Sequence, residues 1–296
     1  MHPDDVLNDG LCTVSRQTLA VVSDINQQSK QSVSAEFHHR IMRWLSAPDP
    51  STNFNKALSQ RHPGTGEWLL EDPRYSRWME DSASFLWLHG IPGCGKTVLS
   101  TTVIDKLNND PRAKVVLYFY FAFTDAQKQN LDHAIRSLTR QLYCTGQDDV
   151  RKHLEACFSS HDNGERQPSV DTLRKVFQQM ATSADGLWIV LDALDECTEE
   201  QQARRELVNW IKDFSAESGN AHILVTSRPE PDIKSAVAGW CSDDNFIPLQ
   251  SGLVEKDISS FIRSEVREGG RLSRWRKRES ISHEIEVALT KKAGGM

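Results

Sequence analysis

The sequence predicts a three-layer α/β/α fold built on a five-stranded, mostly parallel sheet. Short apolar runs alternate with segments of helical periodicity from residue 84 onward, which is the pattern of a sheet covered by helices on both faces. The first run ends in a glycine-rich stretch, "GIPGCGKT" at 90–97, and a helical pattern resumes directly after it. Strand, bare loop and helix in this order indicate a loop that binds an anion at a helix N-terminus.

Five apolar runs are the candidate strands, and they cover residues 84–89, 113–123, 186–192, 221–227 and 244–249. Helical apolar spacing fills the segments between them, at 96–107, 129–144, 148–158, 169–182, 199–216 and 230–238. The longest apolar run, "VVLYFYFAF", is too short to span a bilayer and predicts a buried strand.

Helical or irregular segments flank this alternating core on both sides. The spacing of apolar residues predicts one long helix or two over 13–46. Proline, asparagine and glycine then punctuate a segment that we interpret as a linker with a short helical turn. The expected organisation is an N-terminal helical segment at 1–46, a linker and pre-core segment at 47–83, the α/β core at 84–250, and the start of an incomplete helical domain at 251–296.

Composition favours a globular protein that stays in the cytoplasm. A formal charge of −6 gives no reason to expect a membrane surface or nucleic acid as partner. The N-terminal "MHPDDVLNDG" lacks the basic region of a signal peptide. Six scattered cysteines without a C-x-x-C pair fit neither a zinc site nor a disulfide scaffold. The basic cluster "RLSRWRKRES" at 271–280 could bind nucleic acid, but we favour a solvated surface because Trp275 is its one aromatic residue.

The stretch from Gly90 to Thr97 matches G-x-x-x-x-G-K-[ST], the phosphate-binding P-loop pattern. Its glycines permit a tight turn and leave backbone N–H groups uncovered, so that several can converge on an anionic oxygen. Lys96 supplies a mobile positive charge for the outer phosphates, and the Thr97 hydroxyl can ligate a Mg²⁺ ion that bridges them. A glycine-rich turn that binds nothing is the alternative, and the strand and helix around the loop oppose it. The predicted nucleotide-binding residues are Gly90, Ile91, Pro92, Gly93, Cys94, Gly95, Lys96, Thr97 and Val98.

A second, acidic site follows the third strand in "LWIVLDALDEC". Five apolar residues precede Asp192, so its carboxylate is expected at the C-terminal end of a buried strand, where ligands of open α/β sheets bind. We therefore predict Asp192 as a Mg²⁺ ligand, directly or through water. Glu196 can accept a proton from attacking water, and Asp195 can share or support that role. The alternative is an acidic surface loop without a ligand.

The fourth strand ends in Thr226, Ser227 and Arg228 before a proline. A hydroxyl and a guanidinium at this strand end can reach a γ-phosphate, and arginine suits bidentate phosphate contact. Arg228 is therefore a third catalytic candidate beside Glu196 and Asp195. The alternative is a helix cap by Ser227, with Arg228 in solvent.

The ordered set "GIPGCGKT", "LWIVLDALDEC" and "ILVTSRPEPDI", preceded by "RHPGTGEWLLEDPRYSRWM", resembles the NACHT module of fungal STAND-class NTPases. These relatives of NOD-like receptors act in heterokaryon incompatibility and innate recognition. The resemblance covers roughly residues 40–265 and implies that the core is a NACHT-type P-loop NTPase. It implies an extra strand between the phosphate-loop strand and the Asp192 strand. It also implies that Asp192, Asp195 and Glu196 match the family's acidic triplet, that Arg228 matches its arginine sensor, and that "GTGEW" lies near the base.

The function that this resemblance implies is a nucleotide-controlled signalling switch. Binding of ATP, or of GTP, favours an open state that self-associates, and slow Mg²⁺-dependent hydrolysis restores the closed state. The expected partners are the nucleoside triphosphate, further copies of the NTPase module and an unknown downstream protein. Family members continue into a winged helix and a repeat array, so the ending "KKAGGM" predicts a truncated product or a short member. A nucleotide-binding module without turnover, a P-loop phosphotransferase and a nucleic-acid motor are the alternatives.

Overall fold

The fold was obtained as a computed structural model, which describes residues 32–198, 201–249, 251–268 and 272–293. The first half of the helical segment predicted over 13–46 lies outside the described residues, as do residues 199–200 at the start of another predicted helix and Arg271 of the basic cluster. The chain divides into two compact units. One comprises Met1–Ser46 and Phe158–Gln167, and the other comprises Ala47–Cys157 and Pro168–Met296.

The first unit contains a helix, α1, whose described part covers residues 32–45. Trp44 anchors it, since the indole Nε1 donates to the Arg166 carbonyl at 2.7 Å and the ring packs edge-on against Phe158 at 5.3 Å between centroids. Ile41 and Leu45 lie on the same face and are fully buried. The helix lies within the segment 13–46, over which the apolar spacing predicts one long helix or two.

The second unit is built on five strands: β1 Ser84–His89, β2 Val115–Tyr120, β3 Leu187–Asp192, β4 Ala221–Ser227 and β5 Phe246–Pro248. They pair in the order β2-β3-β4-β1-β5, and every described pair is parallel. The predicted five-stranded α/β fold is confirmed. Strand β4 lies between β1 and β3, which is the inserted strand that the family resemblance implies.

Helices precede the sheet, connect its strands and continue after it. They are α2 Ser51–Gln60, α3 Glu67–Leu70, α4 Pro73–Glu80, α5 Lys96–Asn108, α6 Leu131–Cys144, α7 Asp148–Ser160, α8 Val170–Ser183, α9 Gln201–Glu217, α10 Pro231–Ala238, α11 Ser251–Arg267 and α12 Glu279–Ala293. Helix α5 contacts β2, β3 and β4, while α6 and α9 contact β2 and β4 respectively. In the described part of the chain, no helix is both long enough and apolar enough to cross a membrane.

Strand β2 is shorter than the predicted run over 113–123. Its ladder ends at Tyr120, and the chain then folds back, because the Ala122 N–H donates to the Lys128 carbonyl at 2.9 Å. Phe123 therefore leaves the sheet and is 63% exposed. Apolar character alone extended the predicted strand, whereas the turn that ends it depends on Asp125, whose side chain accepts from the Gln127 N–H at 3.0 Å.

Residues 47–68, which we interpreted as a linker with one short helical turn, contain the ten-residue helix α2 and the start of α3, and α4 follows before the sheet. Pro73 is the first residue of α4, a position that suits proline, and Asp72 caps that helix by accepting from the Arg74 N–H at 2.8 Å. Trp78 of α4 is 2% exposed, and its Nε1 donates to the Ile223 carbonyl of β4 at 3.1 Å. The segment is therefore packed against the sheet.

Replacement of Trp78 tests whether α4 contributes to the core. We expect Trp78→Ala to lower the free energy of unfolding by about 3–5 kcal/mol, the usual cost of deleting a buried tryptophan. Val287→Ala on α12, where the side chain is 52% exposed, is the control and should change it by less than about 0.5 kcal/mol. Guanidinium unfolding followed by far-UV circular dichroism measures both. Equal midpoints for the two variants would mean that α4 is not part of the cooperative core.

Candidate functional site

The glycine-rich loop connects β1 to α5 in a shape that its glycines make possible. Gly93 and Gly95 have φ of 80° and 89°, the left-handed region where a Cβ is strained. Gly90 needs space instead, because a Cβ there would lie 2.7 Å from Cys94 Sγ and 3.0 Å from Leu249 Cβ. The Gly90 N–H donates to the Ser227 carbonyl of β4 at 3.2 Å. The loop is thus fixed to the strand that also carries the arginine candidate.

Lys96 is the first residue of α5 and folds back over this loop. Its Nζ donates to the carbonyls of Gly90 and Ile91 at 2.8 and 2.9 Å. Within the described ranges, Lys96 forms no ion pair with a carboxylate. An uncompensated ammonium at a helix N-terminus, among uncovered N–H groups, favours a polyanionic ligand.

Asp192 ends β3, is 2% exposed and accepts hydrogen bonds from three hydroxyls. Thr97 Oγ1 donates to its Oδ2 at 2.8 Å, and Ser100 Oγ and Thr226 Oγ1 donate to its Oδ1 at 2.8 and 2.7 Å. Burial raises the pKa of the Asp192 carboxyl, whereas the three donors and the Lys96 charge act in the opposite direction. The structure thus brings the two predicted magnesium ligands, Thr97 and Asp192, into direct contact.

Ser100 and Thr226 are partners of Asp192 that the sequence analysis did not assign to it. Ser100 follows Thr97 by three residues and so lies on the same face of α5. Leu191 pairs with Val225, which places Thr226 beside Asp192 at the end of the neighbouring strand. The contact of Ser100 with Asp192 could have been predicted from helical spacing. The contact of Thr226 could be predicted only if β3 and β4 were known to be neighbours.

The Thr97 hydroxyl and the Asp192 carboxylate fit Mg²⁺ by their chemistry. Both are hard oxygen donors, and Mg²⁺ is usually held by one or two carboxylates together with substrate phosphates and water. Within the described ranges there is no group of three or more histidine, cysteine, aspartate or glutamate side chains that could hold a metal. The donor set therefore suits a metal shared with a phosphate ligand rather than one held by the protein alone.

The two acidic residues after Asp192 occupy different environments. Ala193 adopts a left-handed conformation, with φ 61° and ψ 53°, and a short 3₁₀ turn, Leu194–Glu196, follows. Asp195 is 8% exposed and accepts from the Arg228 backbone N–H and side-chain Nε. Glu196 is half-buried, and its Oε2 accepts one long hydrogen bond, 3.4 Å, from the Phe123 N–H. Asp195 is thus committed to a partner, whereas Glu196 is only weakly held.

Burial raises the pKa of the Glu196 carboxyl above its ordinary value. The negative charges of Asp195 and Asp192 add to this effect, while the Phe123 N–H and the Arg228 charge oppose it. A carboxylate with a raised pKa is a stronger proton acceptor at neutral pH. This direction of the pKa agrees with the predicted role of Glu196 as a proton acceptor.

Arg228 follows β4 and lies between two carboxylates. Its Nε pairs with Asp195 at 2.5 Å, and its Nη1 lies 3.6 Å from Glu230 Oε1. The alternative of a helix cap by Ser227 is wrong, because Ser227 Oγ donates to the Arg228 carbonyl and helix α10 is preceded by Glu230 as its N-cap. Arg228 is held at the carboxyl edge of the sheet rather than pointing freely into solvent.

A cavity of about 290 Å³ lies beside the glycine-rich loop. One wall is formed by the loop and α5, and the others by the end of α2, its following turn and α11. Asp257 of α11 fixes this arrangement, since its Oδ2 accepts from the Gly66 N–H at 2.9 Å and from Trp68 Nε1 at 3.1 Å. The lining residues are Gln60, His62, Thr65, Gly93, Cys94, Gly95, Val98, Leu99, Val254, Asp257, Ile258 and Phe261. A concave, largely apolar cavity next to a phosphate-binding loop has the character of a nucleobase pocket.

The parallel sheet, the glycine-rich loop and the buried strand-end carboxylate define the α/β fold of a P-loop nucleotide-binding protein. The family model described as Nephrocystin 3, N-terminal, matches residues 64–228, more than half of the chain. The chain belongs to this family, whose matched region begins before α3 and ends at Arg228.

The chain also resembles the vegetative incompatibility protein HET-E-1 of Podospora anserina, with 27% identity over 207 residues. This match covers 67% of the chain but 15% of that protein, so the chain spans a small part of the length of this relative. The predicted resemblance to NACHT NTPases of the fungal incompatibility type is confirmed. Among solved structures, the Walker-type ATPase PABY2304 of Pyrococcus abyssi is similar at a TM-score of 0.44 and 11% identity, over 77% of this chain and 64% of that one.

Loss of the Lys96 charge is expected to weaken nucleotide binding. Removal of one partner of a hydrogen-bonded charge pair costs about 2–5 kcal/mol, so Lys96→Ala should raise the Kd for Mg²⁺-ATP by about 30-fold or more. Lys106→Ala is the matched control, because Lys106 is an exposed lysine on the same helix. Isothermal titration calorimetry on folded protein measures both. Equal affinities for the two variants would remove Lys96 from the binding site.

The metal assignment predicts a difference between measurements with and without Mg²⁺. Thr97→Ala and Asp192→Asn should reduce ATP affinity more in Mg²⁺ than in EDTA, because both side chains are assigned to the metal. Thr101→Ala is the control, since Thr101 lies one turn further along α5 and bonds to the Thr97 carbonyl and the Tyr120 hydroxyl instead of Asp192. Equal losses in the two buffers would contradict the assignment.

Proposed function

We propose that this chain binds ATP with Mg²⁺ and hydrolyses it slowly as a conformational signalling switch. The single observation that carries the proposal is the contact of Thr97 with Asp192 at 2.8 Å, directly after the glycine-rich loop. It joins the two halves of a phosphate site at one edge of the sheet, although they are 95 residues apart in the sequence. Glu196 and Arg228 follow strands that end at this same edge.

The loop and Lys96 would bind the phosphate groups. Uncovered N–H groups of the loop donate to phosphate oxygens, the α5 N-terminus adds its positive dipole end, and the ammonium pairs with the outer phosphates. Thr97 and Asp192 would hold Mg²⁺, which when bound neutralises charge that develops between the β- and γ-phosphates. The tight enclosure of Asp192 keeps its carboxylate in place for this role.

Glu196 would act on the attacking water. Its carboxylate accepts one long hydrogen bond and is half-buried, so it retains lone pairs for a water proton. Arg228 would contact the γ-phosphate through the guanidinium nitrogens that Asp195 does not engage. We assign Asp195 no proton transfer, because its carboxylate already accepts two hydrogen bonds from Arg228.

The cavity bounded by the loop, α2 and α11 would hold the base. Its apolar residues Val98, Leu99 and Ile258 suit the faces of an aromatic ring, and Thr65 and His62 are polar residues of its lining. ATP is the proposed nucleotide, and competition of labelled ATP by GTP tests the preference. Because α11 both lines this cavity and binds Gly66 and Trp68 through Asp257, a bound base would bear directly on the helical region.

We further propose that the chain is part of a cytoplasmic signalling protein, in which nucleotide binding is coupled to the helical region. The segments 84–250 and 251–296 would be its nucleotide core and the start of its helical domain, preceded by the segments 1–46 and 47–83. Nucleotide state would control self-association through the core and contact with a downstream protein. The name of the HET-E-1 relative supports a role in vegetative incompatibility.

The test of turnover is a single-turnover assay with labelled ATP on the parent chain and on Glu196→Gln. General-base assistance is worth about 10²–10⁴-fold, so the variant should bind ATP normally and hydrolyse it slower by that factor. Since the base acts only when deprotonated and the pKa of Glu196 is raised, hydrolysis should fall with decreasing pH at a midpoint above the ordinary glutamate pKa. Glu217→Gln at the end of α9 is the control and should match the parent.

The possible results distinguish an NTPase from a nucleotide-binding module and from a phosphotransferase. Equal rates for the parent and Glu196→Gln would remove Glu196 as the base. Tight ATP binding without turnover in the parent would favour a nucleotide-binding module, and phosphate transfer to an added acceptor instead of water would favour a phosphotransferase. Failure of the parent to bind any nucleoside triphosphate would refute the proposed function as a whole.

A further inference from the structure

Asp195 and Arg228 form a pair at the edge of the sheet, in which one carboxylate binds both the main chain and the side chain of the arginine. Asp195 Oδ1 accepts from the Arg228 backbone N–H at 2.8 Å, and Asp195 Oδ2 accepts from Arg228 Nε at 2.5 Å. The Asp195 side chain is 4% exposed, while the Arg228 side chain is 39% exposed. One carboxylate therefore fixes both the main chain and the near side of the guanidinium, and leaves the far side accessible.

We propose that Asp195 is a positioning residue that presents the Arg228 guanidinium to the γ-phosphate. This inference rests on the proposed function of the site. A general base must reach the attacking water, but each oxygen of Asp195 is occupied by an Arg228 donor and the carboxylate is almost entirely enclosed. Asp195 acts through Arg228, and Glu196 is left as the proton acceptor.

The geometry of the pair leaves the two Nη groups of the Arg228 guanidinium available to a ligand. Nε is engaged by Asp195, and Nη1 has only the loose contact with Glu230 Oε1 at 3.6 Å. In the described part of the chain, Nη2 has no hydrogen bond or ion pair. A guanidinium gripped at Nε can still offer its two Nη groups as a fork to phosphate oxygens.

The position of the pair supports the same conclusion. Ser227, the residue before Arg228, accepts a hydrogen bond from the Gly90 N–H at 3.2 Å, so the arginine follows directly from a contact with the glycine-rich loop. A free arginine side chain loses rotational freedom when it binds a phosphate, and a partner that holds it beforehand removes part of that cost. The Asp195 carboxylate supplies this restraint from the neighbouring strand end.

A double-mutant cycle tests the proposal by single-turnover hydrolysis of labelled ATP and by the ratio of ATP to ADP affinity. Arg228→Ala and Asp195→Asn should each slow hydrolysis by about tenfold or more. Each should also lower the ratio of ATP affinity to ADP affinity, called the ATP/ADP ratio below. Asp195→Asn introduced into Arg228→Ala should add less than about twofold, because the residue through which it acts is gone. Glu230→Gln is the matched control carboxylate and should change both quantities by less than about twofold.

Two further measurements keep the proposal testable if Asp195→Asn folds poorly or if the parent binds ATP without turnover. Arg228→Lys leaves Asp195 intact and keeps the charge but removes the Nε–H, so one ammonium must serve either the carboxylate or the phosphate. It should lower the ATP/ADP ratio nearly as far as Arg228→Ala. In nucleotide-free protein, the NMR signal of the Arg228 Nε–H, identified by its loss in Arg228→Ala, should be protected from solvent exchange in the parent and unprotected in Asp195→Asn.

The outcomes that overturn the inference differ from those that overturn the proposed function. If Asp195→Asn slows Arg228→Ala as strongly as it slows the parent, Asp195 acts independently of the arginine. If Asp195→Asn or Arg228→Lys matches the parent in the ATP/ADP ratio, the arginine needs no positioning. Both results would occur in a chain that still binds ATP, whereas a parent that binds no nucleotide refutes the site itself and the inference with it.

Discussion

The burial of one carboxylate, that of Asp192, is the constraint on which the arrangement of the site depends. An ionised carboxylate taken out of water costs several kcal/mol unless its oxygens are satisfied by donors. Here the donors are hydroxyls from two other elements, Thr97 and Ser100 of α5 and Thr226 of β4. The need to satisfy Asp192 therefore joins α5, β3 and β4 at one point, and with them the loop that precedes α5.

From this junction the positions of the remaining candidates follow. Strand β4 must adjoin β3 for Thr226 to reach Asp192, which places Arg228 two residues further along the same edge. The Thr226 hydroxyl also accepts from the Ala193 N–H at 2.9 Å, and so holds the left-handed turn after β3. This left-handed turn then places Asp195 in contact with Arg228 and Glu196 in contact with Phe123. The insertion of one strand thus positions the two predicted magnesium ligands, the arginine and the acidic pair.

The sequence predicts those parts of this design that are local. Glycine spacing, an apolar run before Asp192 and helical periodicity after Thr97 each lie within one short segment, and the structure contains the corresponding strand ends and helix. The insertion of a strand between the phosphate-loop strand and the Asp192 strand was implied by the family resemblance, because it is a long-range property that no local pattern records. The extent of α2 was underestimated for another reason: the proline, asparagine and glycine residues of 47–68 were interpreted as linker punctuation, whereas a ten-residue helix begins directly after Pro50. The catalytic roles themselves remain predictions.

Asp195 and Glu196 illustrate why the rest of the site cannot be derived from residue types. They are adjacent and chemically alike, and the sequence analysis could only assign them overlapping roles. Their difference arises from a partner 33 residues away, since Arg228 engages both oxygens of Asp195 and leaves Glu196 with one long hydrogen bond. Burial without a strong donor raises the pKa of Glu196, which suits proton transfer. The two hydrogen bonds from Arg228 hold the buried neighbouring carboxylate in place, which suits the orientation of an arginine.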